Sequence, residues 1–196
     1  GFAGLITVGT LLLMLPFSTA GDDRADVITA LFTATSAVCI TGLAVTTTGE
    51  YWSFFGQAVL IALMFLGGLG IMTSGLVILT TLGRRITLNQ RLVVREAMGG
   101  ATLGSVLSLG RYVVIFAIAV QATGFVLLFL RFLADYPLGR AAWHGLFHSV
   151  SAFNNAGFDI FTDSTSLSRF QADPLMLGMF GTLIVIGGLS FPVIAE

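Results

Sequence analysis

Four uncharged runs, residues 1–21, 51–83, 112–130 and 174–195, set the terms on which this chain folds. A hydrocarbon core of ~30 Å takes roughly 20 apolar residues as a helix, and each run is about that length or longer. With 56% hydrophobic and 10% charged residues among 196, the composition lies far outside that of soluble domains. The sequence therefore predicts an all-α integral membrane protein, multi-pass in a lipid bilayer, with no soluble domain.

Two more uncharged runs, 27–49 and 141–158, are of a different kind, because hydroxyls, amides and glycine interrupt them. Aligned at a constant offset of 115 residues, LFTATSAVCITGLAVTTTG (31–49) and LFHSVSAFNNAGFDIFTDS (146–164) share Leu31/Leu146, Phe32/Phe147, Ser36/Ser151, Ala37/Ala152, Gly42/Gly157 and Thr47/Thr162. Each begins as an apolar helix, passes through a short polar segment and reaches a glycine. Non-helical backbone is tolerated at membrane depth only where protein buries it or water reaches it, and its free carbonyls can then replace an ion's hydration shell. Both stretches are therefore expected to be pore loops. The glycine pairs that follow, Gly67–Gly70 in GGLG and Gly187–Leu189 in GGL, repeat at an offset of 120, five more than the loops. The chain divides into two copies of helix, pore loop, helix: residues 1–104 with a connection, and 105–196, cut short at its end. Repeats of this kind are common in transport proteins.

That connection carries Arg84, Arg85, Arg91, Arg95 and Arg111 against the single acid Glu96, which marks it as cytoplasmic. If both loops re-enter, segments 22–50 and 131–173 lie outside, with four arginines and eight acids between them. Nine arginines without a lysine and a net charge of −1 give no nucleic-acid footprint. The single cysteine, Cys39, excludes an intrachain disulfide. Gly1 opens directly into an apolar run without a basic flank, and Glu196 closes another, so the sequence is expected to be part of a longer chain.

Glycine commonly serves as a plain turn residue, and Gly42 and Gly157 are open to that role. Their equivalent placement after paired uncharged helices favours a carbonyl ring, built from Ile40, Thr41, Gly42 and Leu43 in one loop and Asn155, Ala156, Gly157 and Phe158 in the other. Helix C-termini aimed at the cavity favour a cation, and no acid is needed in the ring. His144 and His148 share a helix face at a spacing that also serves zinc, but no intervening glutamate or third ligand accompanies them. Asn154 and Asn155 either hydrogen-bond behind the loop or cap the helix.

TATSAVCITGL, FLGGLGIMT, GRRITLNQRLVVREAMGG and above all FHSVSAFNNAGFD resemble the membrane subunit of the Ktr branch of the Ktr/Trk/HKT potassium-transporter superfamily, over nearly the whole chain. The resemblance implies four helix–pore-loop–helix repeats in one polypeptide around a pseudo-fourfold cation pathway, of which two are present here. It implies a key filter glycine in each loop, matched by Gly42 and Gly157; glycine at the first site is similar to the potassium-selective members. Cys39 stands where threonine or valine is expected. The resemblance also implies the remaining two repeats of the same chain as partners, a homodimer, and a cytoplasmic nucleotide-sensing regulatory subunit. No resident cofactor is expected; potassium is the transported ion, with sodium coupling open, in the cell membrane. The alternatives are a secondary transporter of a small solute and a membrane hydrolase using His144 and His148.

The arginine count predicts that residues 84–111 face the cytoplasm. A cysteine placed at Asn89 in a Cys39-free background should stay unlabelled by impermeant reagent added to intact cells; labelling there would overturn the topology and both loop assignments.

Overall fold

The computed structural model describes residues 1–21, 24–83, 103–162 and 166–189. The arginines at 84, 85, 91 and 95, the acids at 22, 23 and 163, and Pro192 lie outside the described residues. The described chain is all helical: α1 (Phe2–Leu13), α2 (Val27–Cys39), the short α3 (Thr48–Tyr51), α4 (Phe54–Gly83), α5 (Leu103–Phe132), α6 (Leu138–Phe153), a 3-10 turn at Ser166–Phe170, and α7 (Pro174–Gly188). Extended pairing among these residues is limited to an isolated antiparallel bridge between Thr19 and Trp52.

Helix α1 is shorter than its uncharged run, and Pro16 is the reason. A proline ring clashes with the carbonyl four residues earlier, here that of Leu12. The carbonyl freed in this way accepts the Ser18 hydroxyl at 2.6 Å and the Leu15 N–H at 3.3 Å. The chain then runs beside the start of α4, where Ser53 N–H donates to the Ser18 carbonyl and Ala20 N–H to the Tyr51 carbonyl, both at 2.9 Å. Helix α5 departs the other way: it begins at Leu103, ahead of the uncharged run, and Arg111–Phe132 within it is long and apolar enough to cross a membrane. Phe2–Leu13, Phe54–Gly70 and Pro174–Gly188 are shorter apolar pieces.

Helices α1, α2 and α4 pack on one another, as do α5, α6 and α7, and α4 also touches α6. In the first group Ala30, Ala34 and Ala37 make a small-residue face on α2 that meets Leu13, Leu60 and Met64. Small side chains let helix backbones approach where lipid supplies no hydrophobic drive between helices. The second group is aromatic, built on Leu128, Phe132, Phe161, Phe170, Met176 and Phe180. Phe147, Val150, Ala156, Phe158 and Ile160 of the second copy join the first group's core, so the second loop is also packed against the first copy.

Side chains close the helix ends. Asp26 caps α2 by accepting the Thr29 N–H at 3.3 Å, and Asp173 caps α7 by accepting the Met176 N–H at 3.0 Å. Asp173 also receives Arg131 at 2.7 Å, and Arg131 reaches Asp135 at 2.9 Å, which ties the end of α5 to the start of α7. The Met176 N–H, followed by Arg131, holds the Asp173 carboxyl below its usual value.

The glycines after each loop make the same contact. A Cβ built on Gly67 would run into the carbonyl of Val38, and one on Gly187 into that of Phe153. Val38 and Phe153 are 115 residues apart whereas the glycines are 120 apart. The drift arises in the connection: Phe54 opens α4 12 residues after Gly42, and Pro174 opens α7 17 after Gly157, with the five-residue 3-10 turn in the longer link. Overpacking of this kind typically costs about 1–3 kcal/mol. Gly67→Ala and Gly187→Ala should each lower the melting temperature of the detergent-purified protein, while Gly178→Ala and Gly181→Ala, where a Cβ meets nothing within 4 Å, should leave it unchanged or slightly higher.

Candidate functional site

Both loops leave their helix by the same backbone move. Helix α2 stops because Ile40 adopts the left-handed conformation at φ 57° and ψ 45°. In the second copy Asn155, the residue 115 positions later, does so at φ 56°. The next N–H folds back onto the helix in each case, Thr41 to the Ser36 carbonyl at 3.0 Å and Ala156 to the Ser151 carbonyl at 2.8 Å. These bonds occupy carbonyls that a helix end leaves without partners. Two residues further on, Gly42 at φ 71° and Gly157 at φ 73° are left-handed again. Asparagine tolerates this region and glycine is at home there, but a β-branched isoleucine at positive φ is strained, by roughly 1–3 kcal/mol.

The loops meet at their glycines. A Cβ on Gly42 would sit 2.9 Å from the Ala156 carbonyl oxygen and 3.1 Å from Gly157 Cα; one on Gly157 would sit 3.0 Å from Gly42 Cα. Conformation and space both demand glycine at these two positions. Around this contact Gly42 meets Ala156 and Gly157, Ile40 packs against the core that holds Ala156 and Phe158, and Gly42, Gly157 and Phe158 line one cavity; Thr41 and Leu43 follow in the first loop, and Asn155 precedes Ala156 in the second. The two sets are not held alike. The Phe158 carbonyl accepts the Ser151 hydroxyl at 2.6 Å, leaving one lone pair, and its side chain is 3% exposed, against 60% for Leu43. Thr41 exchanges a hydroxyl hydrogen bond with Ser36 at 2.8 Å.

His148 completes the second loop's attachment. Its Nδ1 lies 2.7 Å from the His144 carbonyl, which can only accept, and its Nε2 lies 3.4 Å from the Ile160 N–H, which can only donate. The ring is thereby assigned as the neutral Nδ1–H tautomer with both nitrogens occupied. His144 stacks on it at 5.4 Å, within a pile of rings that includes Tyr136 and Phe161. No group of three metal-ligating side chains occurs among the described residues. The histidine pair is part of the packing behind the loop, and the neighbouring Ser149 and Ser151 hydroxyls donate to the Gln121 and Phe158 carbonyls rather than to either imidazole. Thr33, 115 positions before His148, has a buried hydroxyl with no partner.

Asn154 donates to the Val150 carbonyl at 2.9 Å within its own helix, while Asn155 reaches α7 through the Ile184 carbonyl at 3.2 Å. Sequence reasoning missed two features. One is a strut between the copies, in which Trp143 Nε1 donates to Gln57 Oε1 at 2.6 Å and Gln57 Nε2 donates to the Trp52 carbonyl at 2.9 Å. Its signal was a lone glutamine in an apolar run, a group that is costly to bury without partners. The other is a cavity of about 380 Å³ at the two glycines, whose lining includes Thr46, Thr47, Thr48 and Asp159.

The family model described as TrkH, cation transport protein, matches residues 5–196. The chain is 39% identical over 196 residues to the Ktr system potassium uptake protein B of Bacillus subtilis, covering 100% of this chain and 43% of that protein. It is 40% identical over 196 residues to the protein of the same name from Vibrio alginolyticus, covering 100% and 42%. With the potassium/sodium uptake protein NtpJ of Enterococcus hirae it shares 37% identity over 193 residues, covering 98% and 42%. The chain thus spans less than half the length of these relatives.

Removing the His148 ring leaves the Ile160 N–H and the His144 carbonyl to find new partners in a buried site, a loss of about 1–3 kcal/mol for each group left unpaired. His148→Leu should lower the melting temperature, and His148→Gln, which keeps a donor and an acceptor, should recover part of the loss.

Proposed function

We propose for this chain, which belongs to the TrkH family of cation transport proteins, the passage of potassium ions down their electrochemical gradient through backbone carbonyls of its two loops. The observation that carries this reading is the matched pair of left-handed positions, Ile40 with Gly42 and Asn155 with Gly157, with the glycines in contact. In an ordinary strand successive carbonyls point to opposite sides. Left-handed residues alternating with right-handed ones bring successive carbonyls toward one side, as a column of ion ligands requires. Helix α2, which is uncharged, and helix α6, whose Arg140 lies in the first turn away from the loop, end at these loops, and their partially negative C-termini favour a cation there. The relatives named as potassium uptake proteins support potassium as the ion; sodium coupling remains open because one relative is named for both ions.

In this reading α1, α4, α5 and α7 cross the cell membrane while α2 and α6 enter and leave by the same face. Two loops make half of a ring. The remaining two repeats of the longer chain complete it, and a homodimer with a cytoplasmic nucleotide-sensing subunit forms the working assembly. No resident cofactor takes part. Each carbonyl replaces a hydrating water, so residues 1–196 alone as a monomer leave the ion half-solvated.

The test is Gly42→Ser in the complete chain. An L-residue in the left-handed region costs roughly 1–2 kcal/mol, and the added atoms meet the Ala156 carbonyl, so neighbouring carbonyls must shift. An energy of that size corresponds to roughly five- to thirtyfold in relative affinity. Potassium preference over sodium, measured as uptake at matched membrane abundance, should fall within that range. An unaltered ratio in a well-expressed variant would remove Gly42 from the ion path.

A further inference from the structure

The cavity beside the two glycines contains a charge that the carbonyl pathway does not use. Asp159 is its one acidic lining residue among those described, and no basic side chain lines it. The carboxylate is held in place by neutral donors: Oδ1 accepts the Phe161 N–H at 3.2 Å and Oδ2 accepts the Ser166 hydroxyl at 2.7 Å. Neither bond cancels the charge, and each oxygen keeps a lone pair. The arginines nearby are engaged elsewhere. Arg131 pairs with Asp135 and Asp173, and Arg169 lies over the rings of Phe170, Tyr136 and Phe161 while donating to the Tyr136 hydroxyl at 2.7 Å. Position 44, 115 residues earlier, is alanine, so the charge comes from the second copy alone. The same lining includes three consecutive threonines, Thr46, Thr47 and Thr48.

We propose that Asp159 and the threonine wall form a recruitment site for a hydrated monovalent cation, placed ahead of the carbonyls. A space of about 380 Å³ holds an ion with much of its water shell. A single carboxylate attracts such an ion through its field, and low-dielectric walls concentrate that field and raise the local cation concentration. One charge without a close-fitting ring does not distinguish potassium from sodium. This site therefore acts on how readily ions arrive, and the loops act on which ion proceeds. It rests on the transport reading above.

The experiment compares the complete wild-type protein with Asp159→Asn and Asp159→Glu at matched abundance in proteoliposomes. Asparagine keeps an oxygen to accept the Phe161 N–H and puts an amide N–H toward the Ser166 hydroxyl, which then acts as acceptor, while the charge is removed. The readouts are KM and maximal rate for potassium, the potassium-to-sodium ratio, and inhibition by external Mg²⁺, at about 10 mM and about 300 mM background salt of an impermeant organic cation. Exposed charges are felt over roughly 30 Å at 10 mM salt and only a few ångströms near molar salt. The expected result is a KM roughly three- to tenfold higher for Asp159→Asn at low salt, shrinking toward wild type at high salt. Maximal rate and ion ratio stay within twofold, Mg²⁺ inhibits more weakly, and Asp159→Glu stays near wild type. An unchanged low-salt KM in Asp159→Asn overturns the site, as does a rise that is equal at both salts and shared by Asp159→Glu, which would mark a purely structural role. Both of those results leave the transport reading standing, whereas absence of potassium flux in the wild type defeats that reading itself.

Discussion

The contact between Gly42 and Gly157 is the constraint from which the rest of the arrangement follows. Two backbones that approach to van der Waals distance at left-handed residues cannot be fed by helices at arbitrary positions. Helices α2 and α6 must both end one short turn before that point, and each does so with an N–H folded back to the serine of its last turn, Ser36 or Ser151. The following helices must then pass close behind, because Val38 and Phe153 present their carbonyls where Gly67 and Gly187 have no side chain. All four glycines share one constraint, backbone packed against backbone where a Cβ would force the layers apart, and Gly42 and Gly157 add a positive φ to it.

Within this shared frame the two copies differ in how firmly the chain is held after the glycine. In the second copy Ser151 takes the Phe158 carbonyl, His148 takes the Ile160 N–H, and Ile160 is 3% exposed. In the first, the equivalent residues are Ser36, which bonds Thr41 instead, and Thr33, whose hydroxyl has no partner, while Val45 is 55% exposed. Buried, fully paired backbone opens at higher free energy than exposed backbone. The second loop is therefore the fixed wall of the site and the first the more adaptable one, although both carry the same pair of left-handed positions.

How much of this was legible in the sequence follows from which signals are local. The 115-residue echo placed both loops and picked out Gly42 and Gly157, because a residue needing positive φ announces itself as glycine. The five-residue drift of the later glycines was visible as well, and its cause is the 3-10 turn at Ser166–Phe170. The left-handed Ile40 was not legible, since isoleucine is among the residues least suited to that region and what holds it there, the return of Thr41 N–H to Ser36 and packing against the core, shows only in the fold. Hydropathy also misplaced helix ends: Pro16 cuts α1 short of its run, and α5 extends upstream through Arg111. The histidines' spacing also suits a metal, but the want of a third ligand in the sequence already favoured packing; the partners of His148, the His144 carbonyl and the Ile160 N–H, are backbone groups with no sequence signature. Gln57 and Trp143 were visible as polar atoms in apolar runs, but their pairing across 86 positions was not.

Ile40 poses the remaining physical question, since its strain is of the same order as a typical point-mutant effect. A compliant glycine or asparagine in place of Ile40 would relieve the strain, and the second copy does use asparagine at this position, Asn155. One feature of each copy accounts for the difference. Asn155 uses its side-chain amide to bond the Ile184 carbonyl of α7, so its identity is tied to a partner helix. Ile40 instead packs its apolar side chain against the first group's core, and burying an aliphatic group of that size contributes roughly 1.5–3 kcal/mol when complete. The burial is partial, so the two effects are comparable, and the left-handed turn survives because packing and the Ser36 bonds act together. Both loops thus hold the angle with an N–H returned to serine, and the side chain adds a hydrogen bond to α7 in one loop and hydrophobic contact in the other.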